Sequence, residues 1–199
     1  NGTAIIEMAN ASGLPLIQKP FRNPLNTTTY GTGQLITDAM EAGCRTIVVG
    51  VGGSATNDGG MGALAALGIR FLDRNGSELV PCGRNMTHIC QIDDSSRNPL
   101  LAQTKFIIMC DIKNPLLGEC GAAKVFASQK GAGFEDIDIL ENGMKNFREV
   151  VRQKYHKDLS DIPGTGAAGG LAWGLSTFLN PTLQSAMSMV LQLPECHKK

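Results

Sequence analysis

The sequence predicts an α/β protein with a parallel-rich β-sheet and helices on both faces. Short β-branched apolar runs alternate along the chain with segments that keep helical spacing, which is the pattern of parallel sheets. Two of these runs lead directly into polar or glycine-rich loops, at 50–60 and 111–115. Because ligands of such sheets bind outside the carboxyl ends of the strands, we expect both loops to border one shared site.

Composition excludes several classes of partner. The chain has 199 residues, enough for one sizeable domain, of which 42% are apolar and 18% charged. Its 18 Lys and Arg balance its 18 Asp and Glu, so nothing favours nucleic acid or an anionic membrane. No apolar run approaches the roughly 20 residues of a bilayer span. Six cysteines are scattered without a Cys-x-x-Cys pair, which favours reduced thiols and a cytoplasmic location.

The first elements are a strand, a loop, a helix and a strand. Residues 3–8 alternate loosely and are predicted to form a strand, whereas the polar, turn-rich segment 22–30 is predicted to be a loop. Apolar residues at helical spacing predict a helix over 31–43, ended by a glycine. The β-branched run 45–49 predicts a buried strand.

The loop that follows is the organising feature of the chain. It runs over 50–62 and precedes a predicted helix over 63–68. Its free N–H groups, at the positive end of a helix, suit a phosphate or a carboxylate. A merely tight βα turn is the alternative, but such a turn needs one or two glycines. This loop contains six, at positions 50, 52, 53, 59, 60 and 62.

The middle of the chain predicts a hairpin and an excursion. Residues 69–72 read as a strand, and 73–76 as a turn into a second strand over 78–80. The segment 81–99 has no regular pattern and is expected to be an irregular excursion on the surface.

The last elements repeat the alternation of strand, loop and helix. Residues 105–110 predict another buried strand, and 121–126 a helix. The segment 134–155 fits an amphipathic helix whose apolar stripe is expected to pack in a core or between domains. A third glycine-rich loop, 164–170, precedes a predicted helix over 171–179.

A dinucleotide-binding fingerprint is the main competing interpretation of the organising loop. Residues 50–55 satisfy G-x-G-x-x-A after a strand, and Asp73 lies about twenty residues on. However, that fold begins its helix near the second glycine, whereas here 57–60 prolongs the loop. Asp58 would also repel a pyrophosphate unless a cation lay between them. No Gly-Lys-Ser/Thr follows, so the loop is not a Walker A motif.

Four blocks of sequence carry a resemblance to a known family. They are Arg22-Asn23-Pro24-Leu25 with 29–36, Gly52-Gly53-Ser54-Ala55-Thr56-Asn57-Asp58-Gly59-Gly60, Asp111 with 114–118 and 121–132, and Gly164-Thr165-Gly166-Ala167-Ala168-Gly169-Gly170-Leu171. In this order and spacing they resemble the bacterial-type (type I) glycerate kinase family, over about residues 3–191.

The resemblance implies a two-domain α/β kinase. Such an enzyme transfers the γ-phosphoryl group of ATP to D-glycerate with Mg²⁺, giving 2- or 3-phosphoglycerate. Its blocks Asp-Ser-Phe-Lys-Gly and Gly-Glu-Gly-Arg-x-Asp do not occur here, and Ala127-Ser128 replaces the usual Gly-Pro. We therefore expect 1–192 to be the central part of such an enzyme, 193–199 to be a non-matching tail, and the chain alone to be inactive. Exposed apolar surface at its ends is expected to promote a homo-oligomer.

The organising loop supplies the expected phosphate-binding residues. Backbone N–H groups of 52–54 and 59–60 would hold phosphates, as phosphoryl transfer rests on positioning and charge neutralisation. Hydroxyl and amide side chains of the loop would add hydrogen bonds. The expected nucleotide- and phosphate-binding residues are Gly52, Gly53, Ser54, Thr56, Asn57, Gly59 and Gly60.

Five further residues are expected to serve chemistry or substrate binding. Asp58 would ligate Mg²⁺ or act as the base, the alternative being a cap of the following helix. Asp111 has the same two roles, the alternative being a turn with Asn114. Lys130 would pair with a carboxylate or phosphate, or else with a helix C-terminus. Arg22 and Asn114 are the expected substrate-binding residues, although Arg22 has surface solvation as its alternative.

Three functions therefore remain open at this level. The first is a glycerate kinase, the second a nicotinamide-dependent oxidoreductase of the NAD(P) type, and the third a non-catalytic remnant that binds nucleotide only. ATP depletion with D-glycerate separates the first from the second, which would instead change the absorbance of NADH.

Overall fold

The strands form one parallel sheet and one short antiparallel pair. In the computed structural model, residues 2–185 are described. The strands are β1 (Gly2–Glu7), β2 (Cys44–Gly50), β3 (Arg70–Leu72), β4 (Gln91–Asp93), β5 (Lys105–Met109) and β6 (Thr182–Gln184). The main sheet is parallel throughout, in the order β1-β2-β5-β6, while β3 pairs with β4 in antiparallel fashion. The predicted parallel α/β architecture is confirmed.

Helices connect the strands of the main sheet. They are α1 (Ala9–Ser12), α2 (Tyr30–Glu41), α3 (Met61–Ala66), α4 (Ala122–Phe126), α5 (Phe134–Tyr155) and α6 (Leu171–Leu179). The predicted helices over 31–43, 134–155 and 171–179 are therefore confirmed to within a few residues at their ends. Within residues 2–185, none of these helices is both long and apolar enough to cross a bilayer.

One hydrophobic core lies between the main sheet and three helices. Alternate residues of β1, β2 and β5 point to this core, where they meet apolar residues of α2, α3 and α6. Its fully buried members include Ile36, Met40, Ile47, Val49, Ile108 and Leu171. Ile5, on the opposite face of β1, is 64% exposed. The sheet thus presents its better-covered face to these three helices.

A second core surrounds the long helix α5. Phe147 of α5 stacks edge-to-face on Phe71 and Trp173, with ring centroids 5.2 Å and 4.9 Å apart. The stripe predicted for this helix is confirmed as core packing, since Leu140, Met144, Phe147 and Val151 are buried. Burying such side chains contributes about 1.5–3 kcal/mol each, so this core stabilises the half of the chain that follows β2.

The segment 81–99 is not the surface excursion that the sequence predicted. A 3₁₀-helix over Gly83–His88 and strand β4 pack this segment against α5. Met86, Ile89 and Ile92 are buried in the second core. Only Met86 belongs to the 3₁₀-helix, whereas Ile89 follows its end and Ile92 lies in β4. No single helical or strand period therefore runs through the segment, and a periodic pattern in the sequence does not reveal these residues.

The predicted hairpin is only half formed. Asp73 does close a tight turn, since its carboxylate accepts the N–H groups of Asn75 and Ser77. However, 78–80 makes only an isolated bridge from Glu78 to Leu72, and the strand that pairs with β3 is β4. The local turn signal was therefore correct, but it did not identify the strand partner.

Part of the expectation falls outside what the structure describes. The predicted tail 193–199 lies outside the described residues, as do Cys196 and His197. The five cysteines within the described range are free thiols, in agreement with the expectation of reduced cysteines: Cys44, Cys82, Cys90, Cys110 and Cys120.

Candidate active site

A cavity of about 390 Å³ opens at the carboxyl ends of β2 and β5. This is the edge at which the sequence predicted a shared site. Its lining combines an apolar wall with a few polar groups, the usual composition of a small-molecule site. It is lined by Leu14, Val51, Gly52, Gly53, Ser54, Met109, Cys110, Asp111, Ile112, Phe126, Gln129, Lys130, Ala167 and Ala168.

The first half of the organising loop forms one wall of the cavity. Two backbone hydrogen bonds join this loop to segment 12–14. Leu14 N–H donates to the Gly53 carbonyl, and Ala55 N–H donates to the Ser12 carbonyl, each at 2.9 Å. Within residues 2–185, the N–H groups of 52–54 have no backbone acceptor. A Cβ at Gly52 would meet no atom within 4 Å, so a ligand can approach the backbone there. Residues 52–54 therefore offer a row of donors to an anion.

The second half of the loop turns away from the cavity, contrary to the phosphate-cradle expectation. Gly59 N–H donates to the Gly169 carbonyl and Gly60 N–H to the Asp58 carboxylate, each at 3.0 Å. Thr56 and Asn57 are buried, and neither lines the cavity. The N–H groups of Gly59 and Gly60 are therefore used by the fold, whereas the buried Thr56 hydroxyl has no hydrogen-bond partner within residues 2–185.

Gly169 shows how closely these two loops approach. Its φ is +64°, and a Cβ there would lie 2.1 Å from the Thr56 carbonyl oxygen. Only glycine tolerates both this backbone conformation and this contact. The third glycine-rich loop is thus a packing partner of the first, and its Ala167 and Ala168 reach the cavity wall.

Asp58 is buried as a structural carboxylate rather than presented to a ligand. It is 0% exposed and accepts four hydrogen bonds, from Thr29 N–H (2.8 Å), Thr29 Oγ1 (2.8 Å), Gly60 N–H (3.0 Å) and Gly62 N–H (3.1 Å). Burial raises the pKa of Asp58, and the donors from Thr29, Gly62 and Gly60 oppose that rise. Asp58 does not line the cavity, so the geometry favours the alternative in which it holds the start of α3.

Lys130 is the cation of the cavity. It ends a 3₁₀-turn, Ser128–Lys130, and is 2% exposed, yet it lines the cavity. Its Nζ donates to the Thr56 carbonyl oxygen at 2.7 Å, the one hydrogen bond of this ammonium within the described range. Burial lowers the pKa of Lys130 to about 7, against the opposing effect of the Asp58 charge. Two donors of the ammonium are left for an anionic ligand.

Asp111 lies where the sequence predicted it, whereas Asn114 does not reach the cavity. Asp111 follows β5 by two residues, is exposed, and lines the cavity. Asn114 donates from Nδ2 to the Cys120 carbonyl at 2.8 Å, and its own carbonyl accepts Gly166 N–H at 2.9 Å. Asn114 thus braces the loop after Asp111 instead of lining the cavity.

Arg22 has a bracing role as well. Its Nε donates to the Ile17 carbonyl at 3.1 Å and its Nη2 to the Leu14 carbonyl at 3.4 Å. It is partly buried and absent from the lining of the cavity. It supports the segment on which Leu14 contacts the site, which is neither the predicted substrate contact nor a solvated surface charge.

Several lining residues were not predicted. Gln129 and Phe126 come from the short helical segments before Gly131, and Met109, Cys110 and Ile112 from the end of β5. Burial raises the pKa of the Cys110 thiol, which lies near the Ile112 and Gly164 carbonyl oxygens. Residues 109–112 could have been identified only from their position at the end of a predicted strand. Gln129 could have been identified only because it is adjacent to Lys130.

The geometry bears on the dinucleotide interpretation. Helix α3 begins only at Met61, well beyond the second glycine of the fingerprint. Asp73 is partly buried and uses its carboxylate to close its own turn. Neither feature matches a fold in which the helix starts at the glycines and the acidic residue binds ribose.

A second cavity, of about 490 Å³, lies beside α5 and is separate from these residues. Its lining is mostly charged, and it contains none of the residues that the sequence predicted to bind ligands or take part in catalysis. It is lined by Leu117, Gly118, Glu119, Lys124, Asp138, Glu141, Asn142, Lys145, Arg148, Ser160 and Asp161. Glu141 is buried there, but its Oε1 accepts Gly118 N–H at 3.0 Å and its Oε2 is enclosed by the protein, so the carboxylate holds the loop.

Comparisons with known proteins agree with the geometry. Glycerate kinase from Halalkalibacterium halodurans is 45% identical over 195 residues, covering 98% of this chain and 51% of that protein. Glycerate 2-kinase from Escherichia coli K12 is 44% identical over 188 residues, covering 94% of this chain and 49% of that protein. The chain therefore spans about half the length of the curated relatives it matches.

A solved structure and a family model extend these similarities. The crystal structure of a glycerate kinase 2 from Salmonella typhimurium LT2 superposes with a TM-score of 0.92 at 40% identity. The alignment covers 94% of this chain and 50% of that one. The model of the glycerate kinase family matches residues 1–199. Because this match spans the whole sequence, the chain belongs to the glycerate kinase family.

Proposed function

We propose that the protein containing this chain transfers the γ-phosphoryl group of ATP to a hydroxyl group of D-glycerate. The observation that carries the proposal is the cavity at the ends of β2 and β5. It brings together the amides of 52–54, the ammonium of Lys130 and the carboxylate of Asp111. Donors, a cation and a carboxylate are the groups that phosphoryl transfer requires. Family membership gives the reaction class, and the names of the relatives give the acceptor.

The residues of the cavity have separable roles in this proposal. The amides of 52–54 hold phosphate oxygens, because they are the donors that the fold leaves unused. Lys130 neutralises an anionic group from the floor of the cavity, either the transferred phosphoryl group or the glycerate carboxylate. Asp111 would serve in one of two ways: it would help to hold Mg²⁺, or it would accept the proton of the acceptor hydroxyl. As that proton leaves, the hydroxyl oxygen bonds to the γ-phosphorus and the bond from phosphorus to the leaving ADP oxygen breaks.

Of the two aspartates expected to ligate Mg²⁺, one has a carboxylate that suits the ion. Mg²⁺ is usually held by one or two carboxylates together with substrate phosphates and water. Asp111 is exposed and lines the cavity, whereas Asp58 is fully buried and does not line it. Residues 2–185 contain no group of three or more His, Cys, Asp or Glu that would cage a metal without substrate. When bound, the ion neutralises phosphate charge beside Asp111.

The first experiment tests the reaction itself. The protein extended to the length of its relatives is incubated with ATP and D-glycerate, and ADP formation is followed. Formation of ADP that depends on D-glycerate supports the kinase. A change in NADH absorbance with no ADP formation would instead establish the oxidoreductase, and nucleotide binding without either signal would establish the non-catalytic remnant.

The second experiment tests the assignment of Asp111. In the same extended protein, Asp111→Asn keeps the shape of the side chain and removes its charge and basicity. We expect kcat to fall about 10²-fold or more, as loss of a positioned base or metal ligand does. The fold should be intact, because Asp111 lies exposed at the rim of the cavity. A kcat equal to that of the wild type would remove Asp111 from the mechanism.

A cytoplasmic, reducing location also belongs to this proposal. The five described cysteines are free thiols, and Cys110 lines the cavity itself. Proteins with several unpaired cysteines are typical of compartments that keep thiols reduced.

A further inference from the structure

Gln129 occupies a position in the cavity that the proposed roles do not use. It precedes Lys130 on the 3₁₀-turn Ser128–Lys130, and both side chains line the cavity. Lys130 is buried, whereas Gln129 is exposed. The ammonium therefore lies at the floor of the cavity and the amide at its mouth.

The backbone on which Gln129 sits is held firmly. Lys130 N–H donates to the Ala127 carbonyl and Gly131 N–H to the Ser128 carbonyl, each at 3.0 Å. Gly131, with a φ of +98°, packs so closely on the Arg22 carbonyl oxygen that a Cβ would lie 2.2 Å from it. Such a turn presents Gln129 in one position relative to Lys130, as recognition of a small ligand requires.

The side-chain amide of Gln129 has unused hydrogen-bonding capacity. None of its donors or acceptors has a partner in the described part of the chain, while Asn114 and Asn146, two other amides near loops, hold backbone carbonyls. A primary amide both donates and accepts, so the ligand group that it matches best is one that also does both. That group is a hydroxyl, whereas a carboxylate or a phosphate only accepts.

We infer that Gln129 is a specificity-determining residue that recognises the hydroxyl group of the acceptor that is not phosphorylated. The inference rests on the proposed function, and it deepens that function by dividing recognition of a small dihydroxy acid between two neighbours. Lys130 neutralises negative charge, and Gln129 distinguishes a dihydroxy acid from one that carries a single hydroxyl.

The experiment compares D-glycerate with two analogues that each lack one hydroxyl. D-lactate lacks the 3-hydroxyl and 3-hydroxypropionate lacks the 2-hydroxyl, and both keep the carboxylate. Binding of the three acids to the protein extended to the length of its relatives is measured by calorimetry for the wild type, Gln129→Ala and Gln129→Met. Ser128→Ala is the matched control, because Ser128 is exposed on the same turn but does not line the cavity.

Both Gln129 variants should bind D-glycerate more weakly by roughly fivefold to tenfold, the usual effect of losing one hydrogen bond. The analogue that already lacks the contacted hydroxyl should lose less than about twofold, since it has no such bond to lose. Ser128→Ala should leave all three affinities unchanged.

Two outcomes overturn the inference while leaving the proposed function intact. One is wild-type affinity for D-glycerate in both Gln129 variants, and the other is an equal loss for all three acids. An equal loss would mean that Gln129 contacts the carboxylate or shapes the cavity. Failure of the extended wild-type protein to bind D-glycerate at all would instead count against glycerate as the substrate, and the inference would fall with it.

Discussion

Asp58 illustrates how a residue in a functional-looking motif can serve the fold instead. The chemistry of an aspartate in a glycine-rich loop suits a metal or a base, and its position before a helix suits a cap. Its four donors come from Thr29, Gly60 and Gly62, and Thr29 is 29 residues away along the chain. No local pattern reveals such a partner, so the sequence left both roles open and only the fold separates them.

The first prediction follows from these four hydrogen bonds. Asp58→Ala should lower the free energy of unfolding by about 3–5 kcal/mol, because buried donors lose a charged acceptor. Asp58→Asn should also destabilise, by about 1–3 kcal/mol, since one of two oxygens that accept bonds becomes an NH₂ group that faces donors. Urea denaturation of the 199-residue chain measures both values.

Asp73→Ala is the matched control for Asp58. Asp73 also accepts two backbone N–H groups, but it is partly exposed, so water can replace the lost acceptor. Its substitution should cost about 1 kcal/mol or less. Equal effects at positions 58 and 73 would contradict the structural role of Asp58.

The second prediction concerns the protonation of Lys130. Its pKa of about 7 means that the ammonium loses its proton as the pH rises through neutrality. A bound anion favours the charged form, so anion binding above pH 7 must be accompanied by proton uptake. We expect sulfate affinity for the chain to fall by up to about tenfold per pH unit above about pH 7. Sulfate is the suitable probe because phosphate itself titrates in this range.

Calorimetry in buffers of different ionisation enthalpy measures this proton uptake directly. Lys130→Met should bind sulfate weakly and without this pH dependence.

The lowered pKa of Lys130 also affects the stability of the folded chain. The pKa of Lys130 is lower in the folded chain than its ordinary 10.5, so the unfolded chain binds more protons between the two values. The free energy of unfolding should therefore rise with pH in this window, and less so in Lys130→Met. If sulfate binding to the wild-type chain were independent of pH, Lys130 would not be the cation that binds anions in the cavity.

At the scale of elements, the sequence predicted best where the pattern was long and the partner was near. Helix α5 kept its apolar stripe over its whole length, and the β-branched runs of β2 and β5 became central strands. The segment 81–99 was missed because its short 3₁₀-helix has a different period and its packing partner α5 is distant in sequence. The cavity was predicted from strand ends, while the direction of each side chain was not.

The third prediction tests the contact between the first and third glycine-rich loops. Gly169→Ala should destabilise the chain by about 3 kcal/mol or more, since it combines backbone strain with a clash against the Thr56 carbonyl. Gly76→Ala is the matched control, because Gly76 has a φ of +78° but open space where the Cβ would lie. The control isolates backbone strain and should cost about 1 kcal/mol.

Thermal and urea denaturation of both variants give the comparison. The difference between the two glycines measures the close approach of the loops, because both have positive φ. If Gly169→Ala were no more destabilising than Gly76→Ala, the two loops would not be packed as closely as the structure shows. The sulfate affinity of Gly169→Ala should fall too, since Ala167 and Ala168 of the third loop line the cavity.

At the scale of the whole molecule, charge limits what this chain does by itself. Lys130 is the one cation among the described residues that line the cavity, and Asp111 is the one carboxylate. In the proposed reaction, the triphosphate of ATP and the carboxylate of glycerate would together bring several negative charges to the cavity. Phosphoryl transfer proceeds through charge neutralisation, so further positive groups must meet the cavity. The relatives, about twice as long, have the additional chain from which such groups can come.

The fourth prediction is that the 199-residue chain binds anions but is a poor catalyst. We expect its turnover of ATP and D-glycerate to be at least about 10³-fold slower than that of the protein extended with the remaining segments of a relative. The reason is that a single positive group on the transferred phosphoryl is worth about 10³–10⁵ in rate. A coupled assay of ADP formation measures both proteins. The extended protein carrying Lys130→Met is the internal control, since loss of the cation in this half should also slow it. Comparable turnover by the chain alone would mean that Lys130, the amides of 52–54 and Mg²⁺ at Asp111 suffice to neutralise the transferred charge.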